Sequence, residues 1–119
     1  MEKRQVGAVG EKLAESYLRG KGYRILERNY SCRYGEADII AQDRDYLVFV
    51  EVKLRKNAGF AEAREYVDRH KQKRLISTAK YYLMVHDGDL PVRFDVIEVY
   101  SCPGTDKKPR MEHIENAFE

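Results

Sequence analysis

Apolar and polar positions alternate along several short stretches of this chain and recur at helical spacing along two longer ones, and these two periods divide it into elements. Within residues 5–19, Val6, Val9, Leu13 and Tyr17, with Ala14 and Leu18, trace one face of an amphipathic helix that Gly20 and Gly22 end. Gly7 and Gly10 weaken its first turns by up to about 1 kcal/mol each relative to alanine, which points to close packing there. YRILERNY, residues 23–30, reads as a first strand, SCRYG as a turn, and GEADII, residues 35–40, as a second strand interrupted by Asp38. Asp43, Arg44 and Asp45 turn the chain back into YLVFVEVKLR, residues 46–55. This run reads as a strand buried on both faces until Glu51 and Lys53 break in. RKNAGFAEA, residues 55–63, suits a mobile loop beside that charged strand. Asp68 can cap a helix reaching about His86, with Leu75, Ile76, Ala79, Tyr82 and Leu83 as its buried stripe. VRFDVIEVY, residues 92–100, alternates as a fourth strand with Val92, Phe94 and either Val96 or Ile97 inward. SCPGTDKKPR is a loop, and MEHIENAF fits an edge strand. A helical crossover between the third and fourth strands implies that they run parallel, with a right-handed connection.

The charged strand changes this picture from a fold to a site. Strand side chains alternate, so Glu51 and Lys53 share a face, about 7 Å apart at a rise of roughly 3.3 Å per residue. An antiparallel pairing with the preceding strand brings Asp38 beside Glu51. Two carboxylates and an ammonium then converge at one edge of a sheet, where unpaired burial costs several kcal/mol and demands partners or a task. Hard divalent cations such as magnesium take one or two carboxylates, backbone carbonyls, water and substrate phosphate as ligands. Asp38, Glu51 and the Val52 carbonyl meet that requirement, and the Lys53 ammonium is placed to orient an attacking water or to offset charge building on phosphorus. Other chemistries find no support: there is no GxxxxGK[ST], HExxH or GxSxG, and His70, His86 and His113 stand at no metal-ligand spacing and read as surface residues.

Two further positions stay open on spacing alone. Glu11 lies at helical spacing from Ala8, Ala14 and Leu18, on the edge of the apolar stripe, where a site residue and a solvated glutamate like Glu15 are equally good readings. Gln72 continues the stripe of the second helix among Lys71, Lys73 and Arg74, so that its first turns offer backbone donors, an amide and three cations, or simply an ordinary basic helix face.

Composition adds bounds. With 119 residues, 43% of them hydrophobic, the chain is expected to form one domain over residues 1–119 with a single core. The net charge of +2 hides a gradient: residues 51–80 carry nine basic against four acidic side chains, and residues 81–119 four against eight. A positive segment that begins at a carboxylate pair suits a polyanion approaching a metal. Cys32 and Cys102 form no CxxC half-site and no disulfide framework, which sets a reducing cytoplasm as the expected location. No signal-peptide run is present, and no segment approaches the ~20 apolar residues of a membrane span.

An ExK inside an apolar strand, one tight turn after an Asp-bearing strand and preceded by a glutamate-bearing helix, resembles the PD-(D/E)xK, restriction-endonuclease-like superfamily. More closely, the chain is similar to the YraN family of small bacterial proteins, themselves similar to archaeal Holliday junction resolvases. The resemblance covers about residues 7–100: GAVGEKLA, ERNY, GEADII, LVFVEVKLR, the KQKRL of the second helix and RFDVIEV. It implies an α/β, restriction-endonuclease-like fold, a mixed central sheet flanked by helices with an α-β-β-β-α-β core. It also implies Glu11, Asp38, Glu51 and Lys53 as the active-site set, with Gln72 facing it. The superfamily's proline before the first aspartate is absent, Ala37 standing in its place. Glu36, on the same face as Asp38 by alternation, lies a pleat further off.

The expected function is therefore a Mg2+- or Mn2+-dependent endonuclease hydrolysing DNA, on branched or single-stranded structures, with Arg55, Lys71, Lys73 and Arg74 contacting phosphates. Junction cleavage needs two cuts, so the resemblance also implies a two-fold homodimer. The alternatives are a non-catalytic nucleic-acid-binding protein of nuclease fold, and a scaffold in which Glu51 and Lys53 merely satisfy each other.

Overall fold

A computed structural model describes residues 3–55, 68–86, 88–100 and 108–118, the side chains of residues 3–8 and of Arg55 excepted. The elements are α1 (Lys3–Gly20), β1 (Arg24–Cys32), β2 (Gly35–Asp43), β3 (Tyr46–Arg55), α2 (Arg69–His86), β4 (Val92–Tyr100) and β5 (Arg110–Phe118). The five strands form one mixed sheet in the order β1-β2-β3-β4-β5. All neighbours are antiparallel except β3 and β4, the pair joined through α2. The expected α-β-β-β-α-β order is present, and MEHIENAF extends into the full edge strand β5. Of the proposed loop over residues 55–63, Arg55 ends β3 and the rest lies outside the described residues, as do Cys102 and most of the loop over residues 101–110.

Each helix covers one face. Ala14 and Leu18 of α1 pack with Ile39, Ala41, Val48, Val50, Ile97 and Val99, whereas Leu75, Ala79 and Tyr82 of α2 pack with Ile40, Leu47, Phe49 and Phe94. Strand alternation divides β3 cleanly between these cores, valines to α1 and Leu47 and Phe49 to α2. Helix α1 comes close where Gly10 meets Leu54: a Cβ on Gly10 would stand 3.5 Å from the Leu54 Cδ1. Helix α2 starts as its sequence foretells, the Asp68 carboxylate accepting from the Lys71 N–H at 2.8 Å. It then rests on the β1–β2 turn, where Gly35, at φ 153°, leaves only 2.9 Å between an added Cβ and Thr78 Oγ1.

At the end of the sheet where β4 begins, a buried polar network ties β5 to the rest. Arg93 donates from Nε and Nη2 to both oxygens of Asp95, each at 2.9 Å, and from Nη1 to Asp43 at 3.0 Å. His113 Nε2 bonds Asp95 at 2.7 Å while the Lys21 ammonium donates to its Nδ1 at 2.9 Å. His113 is thus not the surface residue its spacing suggested: its side chain is 2% exposed, because partners 18 and 92 residues away satisfy both ring nitrogens.

Candidate active site

The pairing of β2 with β3 ends at Ile39 opposite Val50. One step further Asp38 would face Glu51, and there the ladder gives way: the Val52 N–H donates at 2.8 Å to the Asp38 carboxylate. A side chain has taken the place of a strand at the fork where β2 leaves β3. The pleat of β2 breaks at the same point, since Ala37 and Ile40 belong to the α2-side core while Ile39 and Ala41 belong to the α1 side. Across β1, the residue between Arg28 and Tyr30 is Asn29, which adopts φ 50°, a left-handed conformation that asparagine tolerates better than most residues.

This break sorts the carboxylates differently from simple alternation. Asp38 lines an α1-side cleft of about 110 Å³ with Glu11, Asn29, Arg28 and Glu15, whereas Glu36 lines an α2-side cleft of about 70 Å³ with Glu51, Lys71, Arg74 and Leu75. The expectation that Glu36 shares the face of Asp38 fails for that reason. Glu51 and Lys53 lie on the α2 side with Phe49, their side chains 18% and 15% exposed, and Lys53 Nζ stands 3.4 Å from Glu51 Oε1. Lys71, on the first turn of α2, stands 3.8 Å from the same oxygen. Asp38 lines the α1-side cleft yet lies close enough to Glu51 to be repelled by it.

Burial, then repulsion from Glu51, raises the Asp38 carboxyl to about 7 against the pull of the Val52 N–H. Glu11 is also raised, by burial first, while side-chain hydrogen bonds with Asn29 and Asp38 oppose the shift. Lys53 is lowered, by burial and then by the neighbouring Lys71, with Glu51 opposing. Lys71 is raised, chiefly through its bond with Lys53 and then through the nearby carboxylates. Raised carboxyls beside a lowered ammonium reflect charged groups crowded together in a partly desolvated site.

Glu11, Asp38, Glu51 and Lys53 are therefore brought together, and Lys71 and Arg74 reach the α2-side cleft. Lys73 is exposed and does not line it, and Gln72 is half-buried one residue after Lys71. The Arg55 side chain lies outside the described residues. Asn29, absent from the expected set, lines the α1-side cleft; its signal was an asparagine within a strand of otherwise poor turn propensity.

No three His, Cys, Asp or Glu side chains among the described residues are placed to hold a metal by themselves. The donor set still fits a hard cation that shares its coordination with water and phosphate, as magnesium does, because Asp38 and Glu51 are held close enough to repel. No helix among the described residues is long and apolar enough to cross a membrane.

Sheet, helices and fork define an α/β protein with a five-strand mixed sheet, one helix on each face and a charged site between β2 and β3. The chain belongs to the Uncharacterised protein family UPF0102, whose model matches residues 10–99, a span containing Glu11, Asp38, Glu51, Lys53 and Gln72. It is 44% identical over 119 residues to a UPF0102 protein of Caldanaerobacter subterraneus subsp. tengcongensis, covering 99% of this chain and 98% of the relative. A UPF0102 protein of Clostridioides difficile is likewise 44% identical over 119 residues, covering 99% and 100%. One from Nitrosomonas europaea is 39% identical over 113 residues, covering 95% and 92%.

Proposed function

We propose that this protein is a metal-dependent nuclease of restriction-endonuclease-like type that hydrolyses phosphodiester bonds of DNA, on branched or single-stranded structures, in the cytoplasm. The observation that carries the reading is the Asp38 carboxylate, fixed at a strand fork by the Val52 N–H and raised to about 7 beside Glu51. Strongly perturbed carboxylates in a cleft are candidates for function on physical grounds. Asp38, Glu51 and the Val52 carbonyl would hold Mg2+ or Mn2+. Such an ion supplies a nucleophile at neutral pH and offsets charge on the phosphate.

The chain's own residues do the rest. Lys53, oriented by Glu51 and partly stripped of water, donates to the attacking water or to the phosphate oxygen that gains charge. Glu11, on α1, shares a hydrogen bond with Asp38 and would hold that carboxyl in place at the fork. Lys71, Arg74, Lys73 and Arg55 hold phosphates of the strand, and Gln72 positions it beside them. Two cuts in a branched substrate would be made by a two-fold dimer.

The second reading, a nucleic-acid-binding module without turnover, draws on Glu51, which Lys53 and Lys71 already approach within 4 Å. Manganese calorimetry and a cleavage assay on branched, single-stranded and duplex DNA decide between them. The enzyme binds the ion and cuts, losing affinity in Asp38→Asn and Glu51→Gln. Binding of ion and DNA without cleavage of any substrate selects the module, and no DNA binding at low salt removes both.

A further inference from the structure

Away from the fork, the β1–β2 turn and the outer face of α2 gather aromatic rings and cations that neither core nor the proposed chemistry employs. Tyr34, in the turn, is 46% exposed. Its ring centroid lies 5.7 Å from that of Tyr81, at an interplanar angle of 52°, and the Arg33 guanidinium stands 5.6 Å from the Tyr34 ring centre. Neither tyrosine belongs to either hydrophobic cluster. Together with Ser77, Lys80 and Met84 the two rings line an open groove of about 260 Å³, wider than either cleft at the fork.

Ser77, Lys80, Tyr81 and Met84 recur at i, i+3, i+4 and i+7 and so share one stripe of α2. Arg74, one turn before Ser77, lines the α2-side cleft with Glu51. The stripe thus leads from the candidate site to the tyrosines, about 10 Å from Arg74 to Tyr81 at 1.5 Å per residue. That is roughly three steps of a strand at its duplex rise of 3.4 Å, and fewer when extended. Among the described residues no acidic side chain lines the groove, and Arg33, Arg74 and Lys80 are all exposed beside it.

We propose that the groove lined by Tyr34 and Tyr81 holds an unpaired nucleobase, stacked on the open face of the tyrosine pair, of a single strand whose phosphates follow Arg33, Lys80 and Arg74 towards the fork. Every base has a π face and stacks on tyrosine without regard to sequence, while paired bases in a duplex keep their faces covered. Cations at fixed spacing beside the rings take the phosphates. The proposal rests on the nucleic-acid reading of the fork, not on cleavage, and narrows its substrate to one with an unpaired arm.

Binding measured by fluorescence anisotropy in chelator, without cleavage, tests it on a short oligothymidylate, an abasic strand of equal length and a duplex. Tyr34→Ala and Tyr81→Ala weaken oligothymidylate binding about 5- to 150-fold each, the range for losing one stacked base. Tyr34→Phe and Tyr81→Phe keep it, and neither alanine variant changes affinity for the abasic strand or the duplex. Alanine variants that bind oligothymidylate like the wild type, or lose the abasic strand equally, overturn the proposal. So does a wild-type dimer in sedimentation that Tyr34→Ala dissolves, since the face is then an interface between copies. Tyrosine-dependent binding by a protein that cuts nothing upholds the groove and removes only the nuclease; cleavage by alanine variants whose binding is unchanged does the reverse.

Discussion

Replacing Asp38 by asparagine should stabilise the metal-free protein at pH 8 and leave it unchanged at pH 4. In the folded chain this carboxyl titrates at about 7, against its ordinary 3.8. Between those values the native state retains a proton that the unfolded chain has released. The associated stability is fully present below pH 3.8 and is lost as pH rises through 7. Three units at 1.36 kcal/mol each give about 4 kcal/mol, and relaxation of a half-buried site reduces the observable to roughly 2–4 kcal/mol. Asparagine carries no charge at either pH and keeps an oxygen for the Val52 N–H. Urea unfolding in chelator, comparing wild type with Asp38→Asn at both pH values, isolates this group from others that titrate. Manganese at pH 8 should then close the gap by stabilising the wild type alone. A difference that does not change between pH 4 and pH 8, or a variant less stable than wild type at pH 8, refutes the reasoning.

Lys53→Met should abolish cleavage while manganese affinity, read by calorimetry, stays equal or rises, because the ammonium repels the ion. The scaffold reading instead requires a loss of about 3–5 kcal/mol in a thermal melt and unaltered metal binding. Glu11→Gln should impair metal-dependent activity, whereas Glu15→Gln, which loses its exposed bonds to Arg19 and Arg28, should cost at most about 1 kcal/mol and no activity. Gly35→Ala should destabilise by about 2 kcal/mol or more in urea unfolding, since φ 153° and the Thr78 hydroxyl both oppose a side chain. Affinity for any DNA should fall as salt rises, and a titration at two salt concentrations that shows no change contradicts phosphate contacts by Lys71 and Arg74.

Much of this was legible because it is local. The charged break in YLVFVEVKLR, the Asp68 cap and the stripe of α2 each follow from residues within a few positions of one another. What escaped depends on tertiary pairing. The parity of β2 switches at Asp38 because β3 leaves the ladder there, and nothing in GEADII announces it. In VRFDVIEVY, with Val92 and Phe94 inward, Arg93 and Asp95 read as outward residues of an alternating strand, yet both are buried. Besides each other they find partners from outside the strand: Asp43 and Tyr23 for Arg93, and His113 with the Asn116 N–H for Asp95.

Asp38 and Asp95, the one half-buried and the other fully buried, discriminate structure from candidate function more sharply than burial does. Both lose water on folding, and desolvation is the first influence on each. Asp95 nevertheless titrates below its ordinary value, because Arg93, His113 and the Asn116 N–H together outweigh its burial. Its network is closed without any ligand, and Asp95→Asn would leave the buried guanidinium only the outlying carboxylates of Asp43 and Glu115, at a cost of up to about 3 kcal/mol. Asp38 has a single backbone donor, meets carboxylates at Glu11, Glu36 and Glu51, and moves the other way. A fold selected only for stability would have no reason to hold those four acids around one fork. On the proposed reading a divalent cation would offset the repulsion that raises Asp38, which makes this aspartate, rather than Asp95 in its closed network, the place to look for chemistry.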